Sequence, residues 1–306
     1  MGSTWSARIV APPSLDVVAL QAQLETQLQE LDRQLSGYRD SAVLWQLNAA
    51  PVGEWRALPE HLAAVIGYGM QLHDASGGAF DLTVKPLVNL WGFGAAAVRT
   101  DVPGDDEITA ARARLGNDRI EVSPDASRIR RNAEVTIDVD AIAPGHVADI
   151  LAAWLTTQGL PNHLVEIGGE VRAEGHRPDG SAWRVGIERP VTSEGDVKRM
   201  IAVTDRGVAT SGDYRVFVEL AGKRYSHTID PATGRPVDHS LASVTIVAPT
   251  ALIADGCATT VMVLGPERGM AWADARGLGV YMVVRADHGA LSERYNTAFE
   301  ALLEAH

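Results

Sequence analysis

The sequence predicts an α+β fold of largely antiparallel sheets with packed helices, and three observations carry that reading. Leu20, Leu24, Leu28, Leu31 and Leu35 recur at helical spacing near the start of the chain. Between His163 and His227 the pattern changes to short apolar runs punctuated by glycine, as strands and tight turns require. From Pro249 the pattern becomes helix, helix, strand and a final helix. No fixed-period repeat and no Pro/Ser-rich linker divides the 306 residues, a length that suits one large domain or two intimately packed lobes.

Taken in order, residues 4–10 alternate like a strand, and the Pro13-Ser14 pair signals the start of the leucine helix. A second helix is expected from Pro59 to about Ala75, with Leu62, Val65, Ile66 and Met70 inward and the Gly77-Gly78 pair as its stop. A third runs through "LTVKPLVNLW". Asp105 is the expected N-cap of a short helix ending before Gly116, followed by strands at Arg119 to Val122, Ser127 to Arg131 and Val135 to Val139. Val147, Ile150, Leu151, Trp154 and Leu155 then keep helical spacing, which puts Pro144 and Gly145 at a strand-to-helix junction.

Composition excludes several function classes. A formal charge of -12, with no Lys/Arg cluster, is the wrong sign for a phosphate-backbone binder. The single cysteine, Cys257, can form neither an internal disulfide nor the head of a zinc site. The apolar runs fall short of the roughly 20 residues a membrane helix needs, so a soluble chain is expected. The opening "MGSTWSARIV" lacks the pattern of a signal peptide; a mature or trimmed chain is expected, in which the first three residues read equally as a vector remnant.

Five stretches concentrate polar chemistry. "DVDAIAPGHVAD" sets Asp138 and Asp140 two residues apart on one strand face and then opens a helix whose free N–H groups suit an anion, although a plain capped turn accounts for the spacing as well. "VEIGGEV" and "ATSGDYRVF" place glycines where a bulge or a close approach to the backbone is expected; Ser211, Asp213 and Tyr214 add polar groups to the second. In "ALIADGCATTVMVLG", Asp255 and Thr259 stand four apart on one face of an apolar helix. They either satisfy each other locally or share a hard cation. "YSHTIDPATGRPV" gathers His227, Thr228, Asp230 and a Pro/Gly turn at one strand end, where His227 serves as a general base or only as a hydrogen-bonding wall.

These motifs, with "GAFDLTVKPLVNLWGFG" ahead of them, occur in an order and at gaps that resemble the bacterial FAD:protein FMN transferases, the ApbE-like flavin transferases, from Met1 to about Gly265. The resemblance implies the flavin transferase fold, two intimately associated lobes forming a single domain over residues 1–306. It implies that FAD is the substrate, that FMN is joined by a phosphoester bond to a threonine of an acceptor redox protein, and that AMP leaves. It further implies Mg²⁺ held by the carbonyl of Ala143, the carboxylate of Asp255 and the hydroxyl of Thr259; a flavin pocket built from Met1, Tyr38, Ala79, Phe80, Asp81, Asp140, His146 and Ile229; and His227 near the reacting phosphate as the catalytic group. Acceptors implied are quinone reductases, related electron-transfer complexes and nitrous-oxide-respiration proteins, and the implied location is periplasmic, with a lipid anchor on the full-length precursor. The chain departs from the family at Pro144, where lysine is frequent, so one expected phosphate-side cation is missing. An FAD pyrophosphatase and an FAD-storage protein need the same pocket and remain the alternatives.

Overall fold

A computed structural model describes residues 4–94, 99–188, 197–213, 216–220, 222–286 and 290–303. Met1 and Tyr214, singled out above, lie outside the described residues.

The chain opens with β1 (Trp5–Ile9) and α1 (Val17–Leu35), whose buried face includes Leu20, Leu24, Leu31 and Leu35. The helix is capped by Asp16 rather than by the Pro13-Ser14 pair, because the Asp16 carboxylate accepts the Ala19 N–H at 3.0 Å. A short helix that periodicity did not signal, α2 (Val43–Ala49), follows; it inserts Leu44 and Leu47. After β2 (Arg56–Ala57), α3 (Glu60–Ser76) stops at Gly77, which takes the left-handed φ of 64° that lacks a Cβ penalty only in glycine. Then come α4 (Lys85–Leu90) and α5 (Asp105–Arg112). Asp105 is the first helical residue and not the cap; Gly104 takes that place, its N–H donating to Glu107 at 2.8 Å. β3 (Ile120–Val122) and β4 (Arg128–Arg131) join β2 in a small sheet of order β2-β4-β3.

Val135–Val139 is extended but is not a strand. Asn48 of α2 takes the place of a neighbouring strand: its side-chain amide donates to the Ile137 carbonyl and its side-chain oxygen accepts the Ile137 N–H, both at 2.8 Å. The Asp138 N–H donates to the Leu82 carbonyl at 2.7 Å. This segment delivers Asp138 and Asp140 to the start of α6 (Ala143–Thr157).

The remaining strands are β5 (His163–Ile167), β6 (Glu170–Glu174), β7 (Trp183–Glu188), β8 (Val197–Val203), β9 (Arg206–Gly212), β10 (Phe217–Leu220), β11 (Lys223–Ser226), β12 (Ile229–Asp230), β13 (Arg235–Pro236) and β14 (Leu241–Ala248). The chain finishes with α7 (Ala251–Leu264), α8 (Pro266–Asp274), β15 (Gly279–Arg285), β16 (Leu291–Tyr295) and α9 (Thr297–Glu300). β16 was not expected; its alternation is obscured by charged residues at an exposed sheet edge.

Seven strands form one antiparallel sheet of order β1-β5-β6-β9-β14-β15-β16. Alternation splits its side chains between two cores. Val165, Ile167, Ala209, Val244 and Ile246 face α1, α3, α6 and α7, whereas Leu164, Val208, Val247 and Val283 face the β7–β8 pair and α9. β14, an interior strand between β9 and β15, is buried along its whole length, including Ser243 and Thr245. A third cluster around Leu87, Trp91, Ile108 and Ile229 joins α4 and α5 to the small strand pairs, with Trp91 Nε1–H donating to the Gly234 carbonyl at 2.8 Å.

Replacing Asn48 with Ala leaves the N–H and the carbonyl of Ile137 without their partners. Asn48→Ala is expected to lower stability by about 2 kcal/mol or more, read as a fall in the urea midpoint at an unchanged slope.

Candidate active site

A cleft of about 770 Å³ opens where the large sheet, α4, α7 and the strand end carrying His227 meet. Its size lies in the range of small-molecule sites, roughly 300–1,000 Å³. One wall is the β5–β6 hairpin. Its Gly168-Gly169 pair is not a bulge but the two-residue turn between antiparallel strands, with φ of 67° and 113°, values that other residues resist.

Of the residues the motifs singled out, Tyr38, Ala79, Phe80, Asp81, Asp140, His227, Ile229, Asp255 and Thr259 all line this cleft. Ala143 and His146 do not. Ala143 is buried as the first residue of α6, its N–H donating to the Val139 carbonyl at 2.8 Å. His146, placed in the flavin pocket by the family resemblance, stands away from the cleft lining. One residue on from Gly145 it has rotated about 100° around the helix, towards α3, where its Nε2 lies 3.3 Å from His61 Nδ1. Burial and the neighbouring imidazole push the His146 pKa down to about 4, so it is neutral at physiological pH.

Asp255 sits inside the seam between α6 and α7. Its Oδ2 accepts the Gly145 N–H at 2.9 Å, and Thr259, one turn further along α7, places its hydroxyl 3.4 Å from that of Ser211. Burial, then the charge of Glu170, pushes the Asp255 carboxyl well above the ordinary carboxylate range, against the opposing pull of the Gly145 N–H. Asp149 adds two more bonds across the seam, accepting the Ala251 and Leu252 N–H groups at 2.8 and 2.9 Å. Glycine is required at 145 because a Cβ there would lie 2.3 Å from the Ala251 carbonyl oxygen and 2.8 Å from Asp255 Cβ.

On the opposite side, His227 donates from Nδ1–H to the Val216 carbonyl at 3.1 Å. That bond selects the tautomer with a lone pair on Nε2. Burial lowers the His227 pKa below its ordinary value although the Val216 carbonyl and Asp213 oppose the shift. Asp213 is itself committed to Arg285 through two hydrogen bonds of 2.6 and 2.7 Å. Asp81 is also engaged: its Oδ1 accepts the Thr83 N–H at 2.6 Å, an Asx turn that sets the approach to α4.

Reading the motifs missed Lys85. It stands inside "GAFDLTVKPLVNLWGFG", and its amine lies 3.0 Å from Asp138 Oδ2 and 3.2 Å from Asp140 Oδ2. A lysine amid apolar residues beside a proline was the available signal; its partners, more than fifty residues away, were not. The lining as a whole is acidic, with Asp81, Asp138, Asp140, Glu166, Glu170, Glu188 and Asp255 against Arg8, Lys85 and Arg184. Among the described residues, no three His, Cys, Asp or Glu side chains converge as a metal-binding group.

The sequence features of the ApbE family match residues 1–282. The chain belongs to the ApbE family. It is 38% identical over 305 residues to the FAD:protein FMN transferase of Vibrio cholerae, covering 99% of this chain and 90% of that protein. It is 35% identical over 289 residues to the enzyme of the same name from Escherichia coli K12, covering 93% and 82%. Among solved structures, the apo form of the flavinyl transferase ApbE of Pseudomonas stutzeri superposes with a TM-score of 0.89 at 38% identity, covering all of this chain and 95% of that one. The ApbE protein of Thermotoga maritima gives 0.86 at 26% identity, covering 99% of each. The antiparallel α+β architecture is thus that of this family's known structures.

The α6–α7 seam leads to a stability test. Ala251 cannot retreat from a new methyl group at 145, because Asp149 pins it. Gly145→Ala is expected to cost about 1–3 kcal/mol, measured by chemical denaturation, and to displace the N–H that Asp255 accepts.

Proposed function

We propose that this chain carries out the reaction for which its relatives are named, transfer of FMN from FAD to a protein. The observation that carries the reading is the cleft itself, which sets His227 on one wall and the buried Asp255 with Thr259 on another. A pyrophosphate repelled by so acidic a lining requires a cation beside it. The donors fit Mg²⁺, a hard ion that takes oxygen ligands and is commonly held by only one or two carboxylates together with substrate phosphates. Asp255 and Thr259, both on the cleft lining, would hold it; the Ala143 carbonyl, off that lining, is a third ligand by family resemblance alone. When bound, Mg²⁺ would supply neutralisation of the charge on the reacting phosphates.

The residues of this chain divide the remaining work. The neutral Nε2 of His227 accepts the proton of an acceptor threonine hydroxyl. That oxygen forms a bond to the FMN phosphorus as the pyrophosphate P–O bond breaks, and AMP departs with the electron pair. Tyr38 offers an aromatic face and Asp140 a hydrogen-bond acceptor to the dinucleotide. Phe80 and Ile229, both buried, close the apolar base of the pocket. Pro144 suits the backbone of the helix start but brings no charge to it.

The deciding experiment incubates the protein with FAD, Mg²⁺ and a threonine-bearing acceptor domain and looks for an FMN-sized mass increase. AMP release with no labelled acceptor would identify a pyrophosphatase instead. Asp255→Ala is expected to retain FAD binding while losing on the order of 10²-fold or more in transfer rate; transfer near the wild-type rate in Mg²⁺ would remove Asp255 from the metal site.

His227→Ala is expected to lower the rate by roughly 10²- to 10⁴-fold with FAD affinity held within several-fold. Because the folded-state pKa of His227 lies below the ordinary value, its base form persists to lower pH than a free histidine's. The wild-type rate should therefore fall only as pH drops below about 6.5, and this acid limb should be absent in the variant.

A further inference from the structure

Lys85 occupies the cleft wall without a function so far. Its side chain is 18% exposed, and a largely buried ammonium has to be matched by acceptors. The matching is complete: its three N–H donors meet Asp138 Oδ2 at 3.0 Å, Asp140 Oδ2 at 3.2 Å and Tyr38 Oη at 3.2 Å. Burial alone would lower its pKa, but Asp138 and Asp140 outweigh that effect and the pKa is raised, so the charge is permanent. With every donor spent, Lys85 has none left for a phosphate. It therefore acts through its partners.

Those partners come from separate parts of the chain. Tyr38 follows α1, and Asp138 and Asp140 lie on the segment before α6. The Tyr38 hydroxyl donates to Asp140 Oδ2, the same oxygen that Lys85 contacts, and the Lys85 amine sits 4.8 Å from the centre of the Tyr38 ring. Tyr38 nevertheless remains 58% exposed, so the ring is fixed at its tip while much of its surface stays open. The Asp140 side chain is 47% exposed in the cleft, with both of these bonds made by one of its two oxygens.

We propose that Lys85 is a positioning residue, which locks Tyr38 and Asp140 into one rigid unit that receives a planar nitrogen heterocycle of the dinucleotide, ring against ring and N–H edge against carboxylate. This rests on the reading of the cleft as an FAD site. Two groups of FAD have the required chemistry, a flat ring with an N–H donor at its edge: the adenine with its exocyclic amine and the isoalloxazine with its imide N–H. In either case, holding the unit in place before binding reduces the ordering cost that binding has to overcome.

The test measures FAD binding by calorimetry in Mg²⁺, separately from transfer, on the full chain. Lys85→Met is expected to weaken FAD binding about 10-fold or more, the scale of lost charge-assisted hydrogen bonds, and to raise KM with kcat little changed. Lys85→Arg should recover part of the loss. Lys85→Met leaves the Asp138 carboxylate buried without its cation, so Lys85→Met/Asp138→Asn serves as the folding-safe variant and should show the same weakened affinity. Two analogues, FAD with hypoxanthine in place of adenine and FAD methylated at the flavin imide, identify the ring: one of them should bind the wild type poorly, and the variants should discriminate against it less. Wild-type affinity and unchanged analogue discrimination in both variants would overturn the proposal. Failure of the wild type to bind FAD would overturn it together with the functional reading, whereas tight FAD binding without transfer would count against the transferase reading alone.

Discussion

The seam between α6 and α7 is the contact on which the site depends. Gly145 lets two helix starts approach to backbone distance, and the bonds from Gly145 to Asp255 and from Asp149 to Ala251 and Leu252 set how they lie against each other. A buried carboxylate with a raised pKa is costly unless a partner favours its charged form. One N–H from the start of α6 is a modest partner for that charge. The interior strand β14 and the core beneath the sheet hold both helices in place, so stability and the proposed metal site share one set of contacts.

Charge balance links the two ends of the cleft. The lining carries more carboxylates than cations, yet the proposed substrate is itself an anion. Two different devices answer this problem. At the α6–α7 seam, Asp255 and Thr259 are the proposed ligands of a metal ion brought in from solution. Near Tyr38, the cation belongs to the protein: Lys85 neutralises much of the charge of Asp138 and Asp140 and organises them. Lys85 is a cleft lysine whose ammonium is bound to carboxylates rather than directed at phosphate.

Legibility followed the range of the forces involved. The leucine face of α1, the glycine stop of α3 and the periodicity of α6 are local patterns and were visible in the residues. α2 was too short to show a period, and β16 is an edge strand whose charged residues hide its alternation. Val135–Val139 looked like a strand because its residues favour extended backbone, but its partner is a side chain from α2. The family resemblance places His146 in the flavin pocket, whereas only the packing of α6 on α3 shows its contact with His61.

What the sequence determined by itself was the fold class, the family and most of the residues around the cleft, because periodicity, turn chemistry and ordered motifs are properties of neighbours along the chain. Tertiary structure alone decided which of those residues face one another. The Lys85 unit with Tyr38, Asp138 and Asp140, the Gly145–Asp255 bond and the Asp213–Arg285 pair each join residues dozens of positions apart. Such pairings depend on how separate elements pack, and packing responds to shape and burial across the whole core, which no local stretch of sequence contains.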